Sequence, residues 1–94
     1  MAEVTYPSDR LYQKQVGSRR AYFLDGRMVS KGSQLEIYDG MGGWIGGRFE
    51  GNAESKVPPT LLCSSPNPDD PMTAVMTVVR ITADARVRWP KHRF

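Results

Sequence analysis

Ninety-four residues with a net charge of +3, 39% hydrophobic and 24% charged, suit one small globular domain and exclude wholesale disorder and most multi-domain enzyme architectures. One cysteine, Cys63, and one histidine, His92, exclude an internal disulfide framework and a zinc finger. Area scaling gives a folded surface of roughly 5,500 Å² against about 15,400 Å² unfolded, which leaves little room for a deep internal pocket.

Residues Met1 to Ser18 are polar, with Pro7 and Gly17 and scattered apolar side chains. They read as a flexible arm, residues 1–18, carrying at most one helical turn around Asp9 to Lys14, so that a single domain spans residues 19–94. Arg20 to Leu24 is β-prone, and Asp25-Gly26 is the dipeptide favoured where both central residues of a tight hairpin turn need positive φ. Arg27 to Val29 returns as a short strand. After Lys31-Gly32, the stretch Gln34 to Tyr38 alternates, with Leu35 and Ile37 on one face.

Asp39 to Gly43 is a glycine-rich connection to a partner strand over Trp44 to Glu50, with Ile45, Gly47 and Phe49 on one side and Trp44, Gly46, Arg48 and Glu50 on the other. Gly51 to Val57 is a polar loop and Pro58-Pro59 borders a short strand over Thr60 to Cys63. Three prolines make Ser64 to Pro71 an exposed loop, resistant to regular pairing. Ala74 to Thr82 is the longest β-branched run, and apolar residues on both of its faces predict a central strand covered on two sides. A 3₁₀ turn at Asp84-Ala85 precedes a last strand, Arg86 to Trp89, that Pro90 ends.

Five or six short strands without a long amphipathic helix predict an all-β fold, a small antiparallel barrel. Leu24-Asp25-Gly26-Arg27, Gly32, Leu35-Glu36-Ile37, Trp44-Ile45 and Gly47-Arg48-Phe49-Glu50 together resemble a family of uncharacterised small bacterial domains in which a "G..LE" strand precedes a "W..GR.E" strand. The resemblance covers about thirty residues. It implies an SH3-like barrel and brings no catalytic residues with it.

Catalytic constellations are missing. No P-loop or dinucleotide fingerprint occurs, and the five glycines between Gly40 and Gly47 sit between strands as turn and bulge positions. Asp69-Asp70 stand in the proline-rich loop without a base or nucleophile beside them, and nothing orients Cys63 toward His92. The reading is a protein without catalytic, metal or cofactor sites. No apolar h-region or apolar run of membrane-spanning length occurs, so the chain reads as cytoplasmic, with no membrane partner.

Two binding surfaces stand out. Trp44 and Arg48 lie on one strand face roughly 13 Å apart, with Gly46 baring the backbone between them, as a flat ligand or proline-rich peptide requires. The alternative is structural: Trp44 caps an open barrel end and Arg48 pairs with Glu36 or Glu50.

The charge is uneven, positive in residues 1–34 and 71–94 and negative in residues 35–70. If the first and last strands are neighbours, Arg19, Arg20, Arg86, Arg88, Lys91 and Arg93 form a basic strip able to follow a nucleic-acid backbone. Otherwise they are solvated charges on an edge strand. The leading expectation is a non-catalytic module that binds a protein or peptide through Trp44, Gly46 and Arg48, in a bacterial or mobile-element setting, as a monomer or homodimer. The alternative is weak, sequence-tolerant nucleic-acid binding.

Overall fold

The computed structural model describes residues 8–91. These form eight strands: β1 (Tyr12–Val16), β2 (Arg19–Leu24), β3 (Arg27–Val29), β4 (Gln34–Tyr38), β5 (Trp44–Glu50), β6 (Thr60–Asn67), β7 (Asp70–Arg80) and β8 (Val87–Arg88). All pairings are antiparallel, in a three-stranded sheet ordered β1-β2-β3 and a five-stranded sheet ordered β7-β6-β5-β4-β8. The all-β expectation holds, but the sheets are not closed into a barrel. None of the described residues lies in a helix, so none supplies a helix long and apolar enough to cross a membrane.

Local chemistry explains the hairpins. Asp25 (φ 51°) and Gly26 (φ 77°) both occupy the left-handed region, the type I′ geometry whose twist matches that of the flanking strands β2 and β3. The β1–β2 link is also two residues long, but there Gly17 alone carries positive φ (62°), which is the type II′ arrangement. This second hairpin corrects the helical turn expected within residues 9–14. Tyr12 stacks on its cross-strand partner Phe23 at 5.9 Å, and the Lys14 ammonium lies 5.5 Å from the same Phe23 ring. A polar strand is thus held by one aromatic pair of a kind that adds about 0.5–1.5 kcal/mol beyond burial.

The period of two in β4 and β5 translates directly into burial. Leu35, Ile37, Gly47 and Phe49 face inward, while Gly46 and Arg48 face out; Ile45, expected with the inward set, is 43% exposed near the start of β5, beyond the buried centre of the sheet. Leu61 and Cys63 of β6, Ile81 and Val87 complete this side of the core, and Tyr22, Leu24 and Val29 close it from the other sheet. Tyr22 meets Phe49 edge-on across the layers at 5.5 Å. Trp89 ties the sheets polar end to polar end, its Nε1 donating to Leu24 O at 2.8 Å. Fully burying each of Phe49, Leu35, Leu61 and Leu24 stabilises the fold by roughly 1.5–3 kcal/mol.

Three strand expectations change. The proline-rich stretch pairs after all: β6 continues through Ser64↔Met76, Ser65↔Val75 and Pro66↔Ala74, with an irregularity between Pro66 and Asn67. Backbone groups alternate in direction along an antiparallel strand, so the N–H that Pro66 lacks would have pointed away from β7. Second, β7 is an edge strand, because β6 alone pairs with it among the described residues. Val75, Met76 and Val78 are 41%, 55% and 65% exposed, where coverage on both sides was expected. Third, the last strand shrinks to Val87–Arg88, after a turn closed by Ala85 N–H donating to Thr82 O at 3.1 Å.

Candidate functional site

The outward face of the five-stranded sheet is built by register. Pairing sets Tyr38 opposite Trp44, Glu36 opposite both Gly46 and Arg88, Gln34 opposite Arg48, and Arg48 opposite Leu62. Trp44, Gly46 and Arg48 therefore do share one face, as the alternation predicts.

Trp44 is half-buried and its surroundings are crowded. Tyr38 lies 5.3 Å away at a 58° tilt, and the guanidinium carbons of Arg88 and Arg86 sit 4.1 and 5.5 Å from the indole centroid. Each arginine is also held by a carboxylate: Arg88 Nε donates to Glu36 Oε1 at 2.6 Å and Arg86 Nε to Asp9 Oδ2 at 3.1 Å. Asp9 is fixed in turn, because its carbonyl accepts from Val87 N–H at 2.8 Å. Cation–π stacking and charge-assisted bonding thus share the same guanidinium planes, which only arginine can offer. The meeting of the two stacking arginines with Trp44 depends on the β4–β8 pairing.

Arg48 donates from Nε to Glu50 Oε1 at 3.0 Å, the structural pairing considered for it above. Gly46 carries nothing over it, since a Cβ there would meet no atom within 4 Å. Around it lies a shallow depression of about 250 Å³, lined by Gln34, Gly46, Arg48, Leu62, Ser64 and Met76. Leu62 and Met76 were missed as lining residues because the β5–β6–β7 register supplies them. A wider hollow of about 370 Å³ between Lys31 and the loop at Gly51, Asn52 and Ser55 has no aromatic lining.

The loop before Trp44 is organised by Asp39, whose Oδ1 accepts from Met41 N–H at 2.7 Å and Gly43 N–H at 3.0 Å. Those bonds, in that order, hold the Asp39 carboxyl below the usual aspartate range. Gly40 and Gly42 supply the positive φ (84° and 93°) that lets the chain turn so tightly. Gly42 N–H then donates to Tyr38 Oη at 3.0 Å, coupling the loop to the ring that flanks Trp44.

The basic strip does not assemble as anticipated. Its premise was adjacent first and last strands, whereas β8 pairs with β4 and the sheet of β1 and β2 is separate. Arg19 approaches Glu54 at 3.8 Å and Arg20 donates to Gln13 Oε1 at 3.2 Å, both in the other sheet. Lys91 is exposed, and Arg93 and His92 lie outside the described residues. Cys63 is buried and its thiol is pushed up by desolvation, opposite to the activation a nucleophile needs. Asp70 accepts from Met72 N–H and the Thr73 hydroxyl within its own turn, and Asp69 is exposed.

No family model, no curated protein and no solved structure matches the chain.

Proposed function

We propose that the chain is a non-catalytic interaction module that receives an extended segment of a protein partner on the outward face of its five-stranded sheet. The observation that carries this is Gly46. It leaves bare backbone in the middle of a strand, between the Trp44–Arg88 stack on one side and the apolar Leu62 and Met76 on the other. A peptide lying there gains backbone approach at Gly46, apolar contact with Leu62 and Met76, and a fixed orientation from the guanidinium of Arg48.

Protein recognition is favoured over a polyanion because Arg48, Arg86 and Arg88 each already face a carboxylate. Counterion release has less to gain where the charge is already compensated. The SH3-like assignment and the bacterial setting belong to this reading and rest on the motif between Leu24 and Glu50, while the cytoplasmic setting rests on the lack of an apolar run of membrane-spanning length.

The test is selection of binders from a random peptide library, followed by chemical-shift mapping on the whole chain. Selected peptides are expected to perturb Trp44, Gly46, Arg48 and Leu62, and Gly46→Tyr is expected to weaken them by about tenfold or more, since a ring then fills the depression. Peptides that map elsewhere and bind Gly46→Tyr unchanged would overturn the reading.

A further inference from the structure

Among the described residues the two sheets have four edges, β1, β3, β7 and β8, and three of them are blunted. β3 has three residues and β8 two, and the outer side of β8 is occupied where Val87 N–H donates to Asp9 O. β1 carries Gln13, Lys14 and Gln15 in its five residues. Short or charged edges are how sheets avoid recruiting another strand.

At its start β7 is interrupted by the register break opposite Pro66 and by the bond from Met72 N–H to Asp70 Oδ1, but from Ala74 to Val79 it has none of these protections and holds no charge, proline or glycine. Its backbone direction follows from one bond. Ile81 N–H donates to Pro59 O at 2.9 Å, continuing the β6–β7 ladder, so odd-numbered residues turn their N–H and C=O groups toward β6. Ala74, Met76 and Val78 therefore direct theirs outward from the sheet.

We infer that β7 pairs antiparallel with β7 of a second copy of this chain, joining two five-stranded sheets into one of ten. The two ends of the strand decide for a copy of itself. Asp70 stands at the turn end of β7 and Arg80 at its other end, so an antiparallel pair runs each acidic end toward the partner's basic end, whereas a parallel pair would set like charges together. With the two-fold axis at Val75, Ala74 lies opposite the partner's Met76; the regular ladder ends there, because the register breaks opposite Pro66 and Met72 N–H is held by Asp70 Oδ1. The outward backbone groups of Ala74 and Met76 then meet in register, and side chains left 41–65% exposed gain apolar neighbours on both faces. Met76 also lines the Gly46 depression, so the two readings are separated by sedimentation of the chain without peptide and by Gly46→Tyr, which fills the depression and leaves β7 unchanged.

Sedimentation of the full chain across concentration is expected to show a monomer–dimer equilibrium. Met76→Pro removes an N–H that points away from β6 and spares the ladder, while Met76→Lys sets two like charges near the axis. Each is expected to weaken the dimer by about tenfold or more, with the circular dichroism of a folded β protein retained. In a Cys63→Ala background, Val75→Cys is expected to oxidise rapidly to a cross-linked dimer, because a non-hydrogen-bonded pair at the axis places the Cα atoms about 4.5 Å apart. Val78→Cys, more exposed but three residues from the axis, is expected to cross-link far more slowly. A chain that stays monomeric, a dimer indifferent to both Met76 variants, or equal cross-linking at positions 75 and 78 would each overturn the proposal.

Discussion

Arg88 and Trp44 are joined as a stack: the guanidinium carbon lies 4.1 Å from the indole centroid while Nε of the same group donates to Glu36 Oε1 at 2.6 Å. Because one planar group serves both partners, Arg88→Ala is expected to cost about 1–2 kcal/mol. Arg88→Lys should recover only part of that, since an ammonium cannot lie flat on the ring while holding the carboxylate. Denaturant unfolding of the two variants, with the Trp44 indole N–H followed by NMR, checks this. Equal stability of wild type and Arg88→Ala would contradict it.

Two adjacent glycines should behave in opposite ways. A Cβ at Gly47 would stand 2.7 Å from Cys63 Sγ and 2.9 Å from the backbone oxygen of Leu62, which cannot swing aside. Gly47→Ala is therefore expected to destabilise by about 1–3 kcal/mol. Gly46 has open space and ordinary strand geometry, so Gly46→Ala should be neutral or stabilising by up to about 1 kcal/mol. Thermal unfolding of the pair decides, and a reversed order would mean that the register of β5 is wrong.

Acid should loosen the loop before Trp44. The folded pKa of Asp39 is lowered by Met41 N–H and then Gly43 N–H, so its contribution to stability is complete above the unfolded pKa and is lost as pH falls through the folded one. Asp84, lowered chiefly by the Thr82 hydroxyl, acts with the same sign at the turn before β8. The Met41 and Gly43 amide resonances are expected to titrate with a midpoint below that of an ordinary aspartate, and Asp39→Asn should abolish that titration. A midpoint at or above the ordinary value would count against the loop's bonding.

Cys63 should be a slow thiol. Burial raises its pKa and shields it, so alkylation near neutral pH is expected to run well below the rate of an exposed thiol and to rise to that rate on unfolding. Following labelling by mass spectrometry with and without denaturant gives the answer. Rapid labelling of the folded chain would show that the inner face near Gly47 opens readily.

The parts of the architecture that are local were readable from the residues. Alternation in Gln34–Tyr38 and Trp44–Glu50 assigned the inward and outward faces apart from the exposed Ile45, and Asp25-Gly26 announced its hairpin, because side-chain period and positive φ are properties of a few consecutive residues. β1 escaped notice because its sequence is polar and its support, Phe23, is supplied by the neighbouring strand. The outward placement of Trp44, Gly46 and Arg48 was likewise visible, whereas the cover of Arg86 and Arg88 over the indole was not.

Composition and periodicity determined by themselves that this chain makes strands, where most of them turn, and which side chains of β4 and β5 face the core. Tertiary structure alone decided that the apolar run of β7 lies at an edge instead of the centre, and that Arg88 rather than solvent lies over Trp44. The physical reason is that an alternating strand buries a face wherever it is placed. Its rank within the sheet depends on which distant segment satisfies its backbone groups, a choice made by hydrogen-bond pairing across the whole chain.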